Sequence, residues 1–256
     1  MKEGQRLWTR EELIIAINLY CKIPFGRLHS RNPEIIHLSK LIDRTPDAVA
    51  RKLVNFASLD PSLQSRGIKG LSNVSKLDQE IWNEFYNNWD ALAFESEVQL
   101  AHYSNTSVEE LHQIDEIDLL KEGKTREQLI KARVNQAFFR KSVLAAYNNT
   151  CCITGLQMPE LLIASHIVPW SVDETNRLNP TNGIALNPLH DKAFELGYLT
   201  FTPEYYIKLA PFLLKNTNNA NGDLFLRYHE QKMILPSRFL PDVNFLVYHN
   251  SERFKQ

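Results

Sequence analysis

A short apolar run that ends in a histidine, residues 161–167, and is stopped by Pro169 constrains this chain more than any other feature. The turn cluster Asn179-Pro180-Thr181-Asn182-Gly183 follows, and then a second apolar run, residues 184–186. Pro188 falls in the first turn of a helix, with Asn187 as its N-cap and His190 near its start. The expected order is strand, loop, strand, helix. That order would bring His166, at a strand end, together with His190, and its loop would leave room for a phosphate between them. Asn182 lies between the two strands, sixteen residues after His166.

Composition excludes several classes. No window approaches the run of about 18 apolar residues that a membrane span needs, and residues 1–6 lack the apolar core of a signal peptide. Only Cys21, Cys151 and Cys152 are present, and no Cys-x-x-Cys occurs. A disulfide framework and a structural zinc are therefore not expected, and a reducing, cytoplasmic location is. The net charge of −1 does not by itself suggest a nucleic-acid binder, but its distribution does. Residues 1–90 hold 13 Lys+Arg against 11 Asp+Glu, residues 91–128 hold 3 against 9, and residues 129–256 hold 13 against 10. Acidic charge is concentrated in the middle, so both flanks could offer basic faces to phosphates.

The N-terminal part reads as helices. Thr9 and Glu12 form a capping box ahead of Leu13, Ile14, Ile17, Leu19 and Tyr20 at helical spacing. A second helix begins near Pro33, and a third at Thr45-Pro46, with Arg51, Lys52 and Asn55 on it. These fifty residues resemble a Myb/SANT or helix-turn-helix domain, in which the last helix enters the major groove. The resemblance implies DNA contacts from Arg44, Arg51, Lys52 and Asn55. The competing reading is a packing or dimerisation module, which would make the protein a homodimer. Residues 66–73 read as a Gly-containing loop and residues 77–92 as an amphipathic helix with Ile81, Trp82, Phe85, Tyr86 and Trp89 on one side. The expected division is a helical, DNA-reading domain at 1–92, an acidic, partly helical linker at 93–128, and a catalytic domain at 129–256.

The stretch from Arg133 to Leu199 carries the chemistry. It holds Arg133, Gln136, Phe139 and Arg140 on a helix, then Cys151, Ile153, Thr154 and Gly155 in a turn, then Ser165-His166-Ile167, Asn182-Gly183 and His190-Asp191-Lys192-Ala193-Phe194. With Tyr228-His229, Ile234-Leu235-Pro236 and His249 further on, this order resembles the HNH (ββα-metal) endonucleases, in the restriction-type subgroup without zinc-ribbon cysteines. The resemblance covers roughly residues 129–250. It implies an α+β protein in which an N-terminal helical domain is joined to a C-terminal ββα-metal nuclease domain.

The family likeness assigns the roles. His166 would be the general base, since an imidazole titrates near neutrality. His190 would hold a divalent ion that polarises the phosphate, and Asn182 would orient the His166 ring or its loop. Mg²⁺ is the implied ion, with Mn²⁺ or Ni²⁺ as substitutes. Ser165 stands where many such sites carry a second ligand, so Asp191 or Glu195 would supply the carboxylate that Mg²⁺ favours. Arg133 and Arg140 would contact phosphates. The implied function is hydrolysis of double-stranded DNA in a bacterial restriction or defence role, including against modified DNA. The alternatives are an inactive HNH-fold DNA-binding regulator, kept open by Ser165, and a partner-binding protein with a helical assembly module.

Overall fold

A computed structural model of the chain describes residues 6–68, 74–86, 88–114 and 125–256. Residues 69–73 of the expected Gly loop and 115–124 of the expected linker lie outside the described residues. The chain divides into two units, Met1–Phe138 and Phe139–Gln256. Helices and two small sheets make up the fold, the α+β class expected. Among the described residues no helix is long and apolar enough to cross a membrane.

In the first unit, α1 (Arg10–Lys22) opens with the expected capping box: Thr9 Oγ1 accepts from Glu12 N, and the Glu12 carboxylate accepts from Thr9 N. Then come α2 (Pro33–Leu41), capped by Asn32, and α3 (Pro46–Leu59), capped by Thr45. After the short α4 (Pro61–Gln64), the amphipathic stretch forms two helices, α5 (Lys76–Tyr86) and α6 (Trp89–Tyr103), followed by α7 (Val108–Leu111). Helix α1 packs against α3, α5 and α6. Tyr20 meets Phe56 and Trp82 edge-on in this core, and its hydroxyl donates to the buried Asp60 at 2.8 Å.

Residues expected to open an acidic linker are packed here instead. Glu95 bonds Arg10, while the buried Glu97 takes Lys22, Asn18 and His112 as partners. Burial alone would raise the Glu97 carboxyl, but His112 and Lys22 overrule it and hold it at about 2. These acidic residues of the expected linker pack on α1, which supplies Arg10 and Lys22 as their cations.

Helix α8 (Arg126–Ala146) contains the boundary between the units. In the second unit, β1 (Ile163–His166) pairs antiparallel with β2 (Gly183–Leu186), Ser165 opposite Ile184 and His166 opposite Gly183. Helix α9 (Pro188–Glu195) follows β2 directly, with the Asn187 side chain accepting from His190 N at 3.0 Å. The strands β3 (Leu199–Phe201) and β4 (Ile207–Leu209) form a second antiparallel pair. The short α10 (Pro211–Lys215) and α11 (Asn219–Leu224) and then α12 (Val243–Glu252) complete the unit. The turn after α8 is built as its residues suggest: Gly155, at φ +75°, donates to Cys151 O, and Cys152 N donates to Ala185 O on β2. All three cysteines are buried.

The hairpin meets α8 at Gly183. A β-carbon there would fall 2.3 Å from Val143 Cγ2 and 2.9 Å from Phe139 Cζ. Valine is stiff at χ1 and Phe139 is buried, so neither can give way cheaply. Gly183→Ala should therefore destabilise the second unit by about 1–3 kcal/mol. Urea denaturation checks this, and Val143→Ala in the same background should recover part of the loss.

Candidate active site

A cleft of about 290 Å³ opens along β1 and α9, and Ser165, His166, Asp191, Glu195, His249 and Arg253 contribute its polar lining. The His166 ring stacks on Phe139, with centroids 3.9 Å apart and planes 7° from parallel, and Trp170 meets it edge-on at 5.7 Å. Nε2 of His166 lies 2.8 Å from Arg177 O. A carbonyl only accepts, so Nε2 carries the proton and Nδ1 keeps a lone pair. Burial lowers the His166 pKa from its ordinary value, against the opposing pull of the Arg177 carbonyl, and the ring is neutral at neutral pH.

Ser165 points to the other side of the strand, as β alternation requires, and hydrogen-bonds the half-buried Asp191. Burial raises the Asp191 pKa, Glu195 adds to the rise, and the Ser165 bond opposes it. Glu195 is exposed, and its salt bridge to Lys192 at 2.8 Å lowers its pKa. Asp191 and Glu195 thus line the cleft that His166 also lines.

Asn182 is fully buried and acts on the loop rather than on the ring. Its Oδ1 accepts from Val168 N at 2.8 Å, and its Nδ2 donates to Val168 O and Asn176 O. This closes the segment between the strands, whose Arg177 carbonyl holds His166. His190 is not among the residues lining the cleft. Its Nε2 lies 2.8 Å from Leu224 O and its Nδ1 3.1 Å from Asn187 Oδ1, with Phe225 and Tyr228 edge-on to the ring. Burial lowers its pKa, opposed by the Leu224 carbonyl. The two histidines expected to converge therefore face different surroundings. Arg140 donates to Leu162 O and Pro159 O, pinning the approach to β1, while Arg133, on the first unit's part of α8, is exposed.

In the first unit Arg44, Arg51, Lys52 and Asn55 line one cleft of about 1010 Å³ with Arg6, Trp8 and Lys76. Of the four expected DNA contacts, Arg44 and Lys52 already have buried carboxylate partners. Arg44 bonds the buried Glu12 at 2.7 Å and lies over the Trp8 ring at 4.0 Å, and Lys52 is buried against Asp78 of α5 at 2.7 Å. Asn55 is buried as well, because α5 covers that side of α3, whereas Arg51 and Lys76 are exposed.

An antiparallel hairpin runs straight into a helix, with an imidazole on the first strand and carboxylates on the helix, the order that the resemblance to the HNH (ββα-metal) endonucleases implied. Residues 151–202 match the HNH endonuclease family, and this part of the chain is an HNH domain. The match takes in β1, β2, α9 and β3, and leaves out α8 and α12. No curated protein matches the chain. Two cleft residues carried no role in the sequence reading. His249 enters that reading only as part of the family resemblance, and Arg253 gives no signal beyond its charge.

His249 yields a test of the site's surroundings. It is 2% exposed, stacks on Phe194 at 3.8 Å, and spends its nitrogens on Thr200 and the Phe194 carbonyl. Burial, against the Phe194 carbonyl and helped by the charge of Arg253, lowers its pKa from 6.5 to about 4. The unfolded chain then binds more protons between those values. Its contribution is complete above about pH 6.5, declines as pH falls, and is lost below about pH 4, roughly 3 kcal/mol in all. Urea midpoints across that window should fall for the wild type, and the fall should be shallower in His249→Gln.

Proposed function

We propose that the cleft hydrolyses phosphodiester bonds of duplex DNA, with His166 Nδ1 as the general base. The observation that carries this reading is the neutral imidazole with one nitrogen fixed on Arg177 O and the other left to accept a proton, on a residue that lines the same cleft as Asp191 and Glu195. The HNH match supports the reaction class and the substrate. Phe139 and the Arg177 carbonyl hold the ring, so the base is oriented before substrate arrives. Asn182 keeps the carbonyl's loop in place.

The donor set suits a divalent ion. Among the described residues no three His, Cys, Asp or Glu side chains converge as a cluster. Mg²⁺ does not need three, because it binds through one or two carboxylates and completes its shell with water and phosphate oxygens. Asp191 would hold it, with Glu195 and Ser165 at the cleft's edge. The ionised Asp191 that burial disfavours is the form a cation would stabilise. When bound, the ion supplies Lewis-acid polarisation of the phosphate and charge stabilisation of the leaving oxygen. The family likeness also gives His190 a ligand role; its contacts with Leu224 O and Asn187 favour instead a role in fixing the start of α9.

His166→Ala should slow plasmid nicking by ~10²–10⁴-fold, the usual loss of a general base, with DNA affinity nearly intact. In Mn²⁺ titrations followed by calorimetry, Asp191→Asn should weaken binding and His190→Ala should not. The reverse order would restore His190 as the ligand. Wild-type cleavage that persists in excess chelator would sink the metal-dependent reading. Digestion of matched modified and unmodified DNA tests the restriction role.

The first unit is proposed as the DNA-contacting part, through exposed Arg51 and Lys76 at its basic cleft. In chelator, where the full chain binds without cutting, Arg51→Ala/Lys76→Ala should weaken binding of a fluorescent duplex. Each lost phosphate contact should reduce the slope of log K against log salt by about 0.9. An unchanged slope and affinity, with dimerisation in sedimentation, would favour the assembly-module reading.

A further inference from the structure

Arg253 lies well past the HNH match, yet the fold brings it to the same cleft as His166, Ser165 and Asp191. It caps α12, its amide donating to His249 O at 3.1 Å. The chain around it is locked onto the end of α9. Lys255 N donates to Gly197 O at 2.9 Å, and Phe254 is buried. Gly197 has φ +76°, and a β-carbon on it would come within 2.0 Å of Arg253 O, so this close approach exists only because residue 197 is glycine. The guanidinium then donates one hydrogen bond, Nη2 to Glu195 O at 3.0 Å. Among the described residues Arg253 makes no ion pair; the nearby Glu195 carboxylate is salt-bridged to Lys192. The side chain is exposed at the cleft.

We infer that Arg253 is a phosphate-binding residue of this cleft, its guanidinium holding a non-bridging oxygen of the phosphodiester beside His166. The inference rests on reading the cleft as a phosphodiesterase site. The other titratable side chains lining the cleft are two carboxyls and two histidines, both histidines with lowered pKa. A phosphodiester entering it meets Asp191 and Glu195, and only Arg253 among the lining residues offers it a permanent positive charge. Guanidinium also matches the geometry of phosphate oxygens, which a lysine does not reproduce. One donor is fixed on a main-chain carbonyl and the backbone is clamped at Gly197, so the group is held in place before binding.

The test compares Arg253→Gln, Arg253→Lys and His166→Ala in the full chain. Arg253→Gln should lower kcat/KM for nicking by ~10²-fold, the scale for removing one anion-stabilising donor, with Arg253→Lys between it and wild type. Urea midpoints of the Arg253 variants should stay near wild type, which separates phosphate binding from a structural role. A second arm needs no catalysis. In metal-free buffer, titration with inorganic phosphate should shift the His166 ring resonance of ¹⁵N-histidine-labelled wild type, assigned by its loss in His166→Ala, and Arg253→Gln should remove the shift. Wild-type nicking by Arg253→Gln beside an inactive His166→Ala overturns the inference and leaves the nuclease reading standing. If the wild type does not cut at all, the nuclease reading fails and the phosphate titration decides Arg253: a shift that survives Arg253→Gln, or no shift in the wild type, overturns it.

Discussion

The close approach of α8 to the hairpin at Gly183 is the constraint on which the second unit depends. Because residue 183 has no side chain, Phe139 and Val143 occupy the space a β-carbon would take. Phe139 can then lie flat under His166, whose strand partner is Gly183 itself. The far side of the ring is set by a chain of main-chain contacts. Arg177 offers its carbonyl to Nε2 while its own guanidinium bonds Trp170 O and Glu174, and Asn182 ties Val168 to Asn176 across the same loop. An exposed imidazole samples several rotamers. This one is bounded by a ring, a carbonyl and a buried amide, which is the preorganisation a proton acceptor requires.

Burial acts on the two faces of β1 in opposite numerical directions toward one end. It lowers the His166 pKa and raises that of Asp191, because in each case it penalises the charged form. Charge brought by an incoming ion or phosphate is therefore screened less in this cleft than it would be in a solvated groove.

What the sequence disclosed was local. Thr9 with Glu12, Thr45 with Pro46, and Asn187 with Pro188 mark helix starts because a cap and its partner lie within three residues, and each helix starts there. The hairpin and α9 were legible for the same reason, with short apolar runs punctuated by proline and glycine. Contacts that reach across the fold left no such trace. Nothing in the residues around His190 announces that Leu224 O meets its Nε2, and the charge of Arg140 looks the same in sequence whether it faces a phosphate or the carbonyls of Pro159 and Leu162. Glu95 and Glu97 read as linker because acidic residues are usually solvated, and only their packing on α1 gives them Arg10 and Lys22.

The first unit shows how far such tertiary pairing limits inference from charge alone. Glu12, Asp78 and Glu97 are all buried, and each is matched by a cation: Arg6 and Arg44 for Glu12, Lys52 for Asp78, and Lys22 for Glu97, which His112 also contacts. Pairs of this kind add little net stability when intact. Removing one partner strands the other charge in a dry interior, at a cost of about 3–5 kcal/mol. A substitution at Arg44 or Lys52 would thus loosen the helices, and a change in ligand binding that followed would not show that either side chain touches the ligand. Arg51 and Lys76 differ because both are exposed on the same cleft. Lys76 meets only the exposed Glu80 at 3.5 Å, and Arg51 donates to Asp47 O at 3.3 Å. Their loss removes charge from the surface while leaving the buried pairs intact, so the four basic residues that look equivalent in sequence separate into two that hold the fold and two that can report on a ligand.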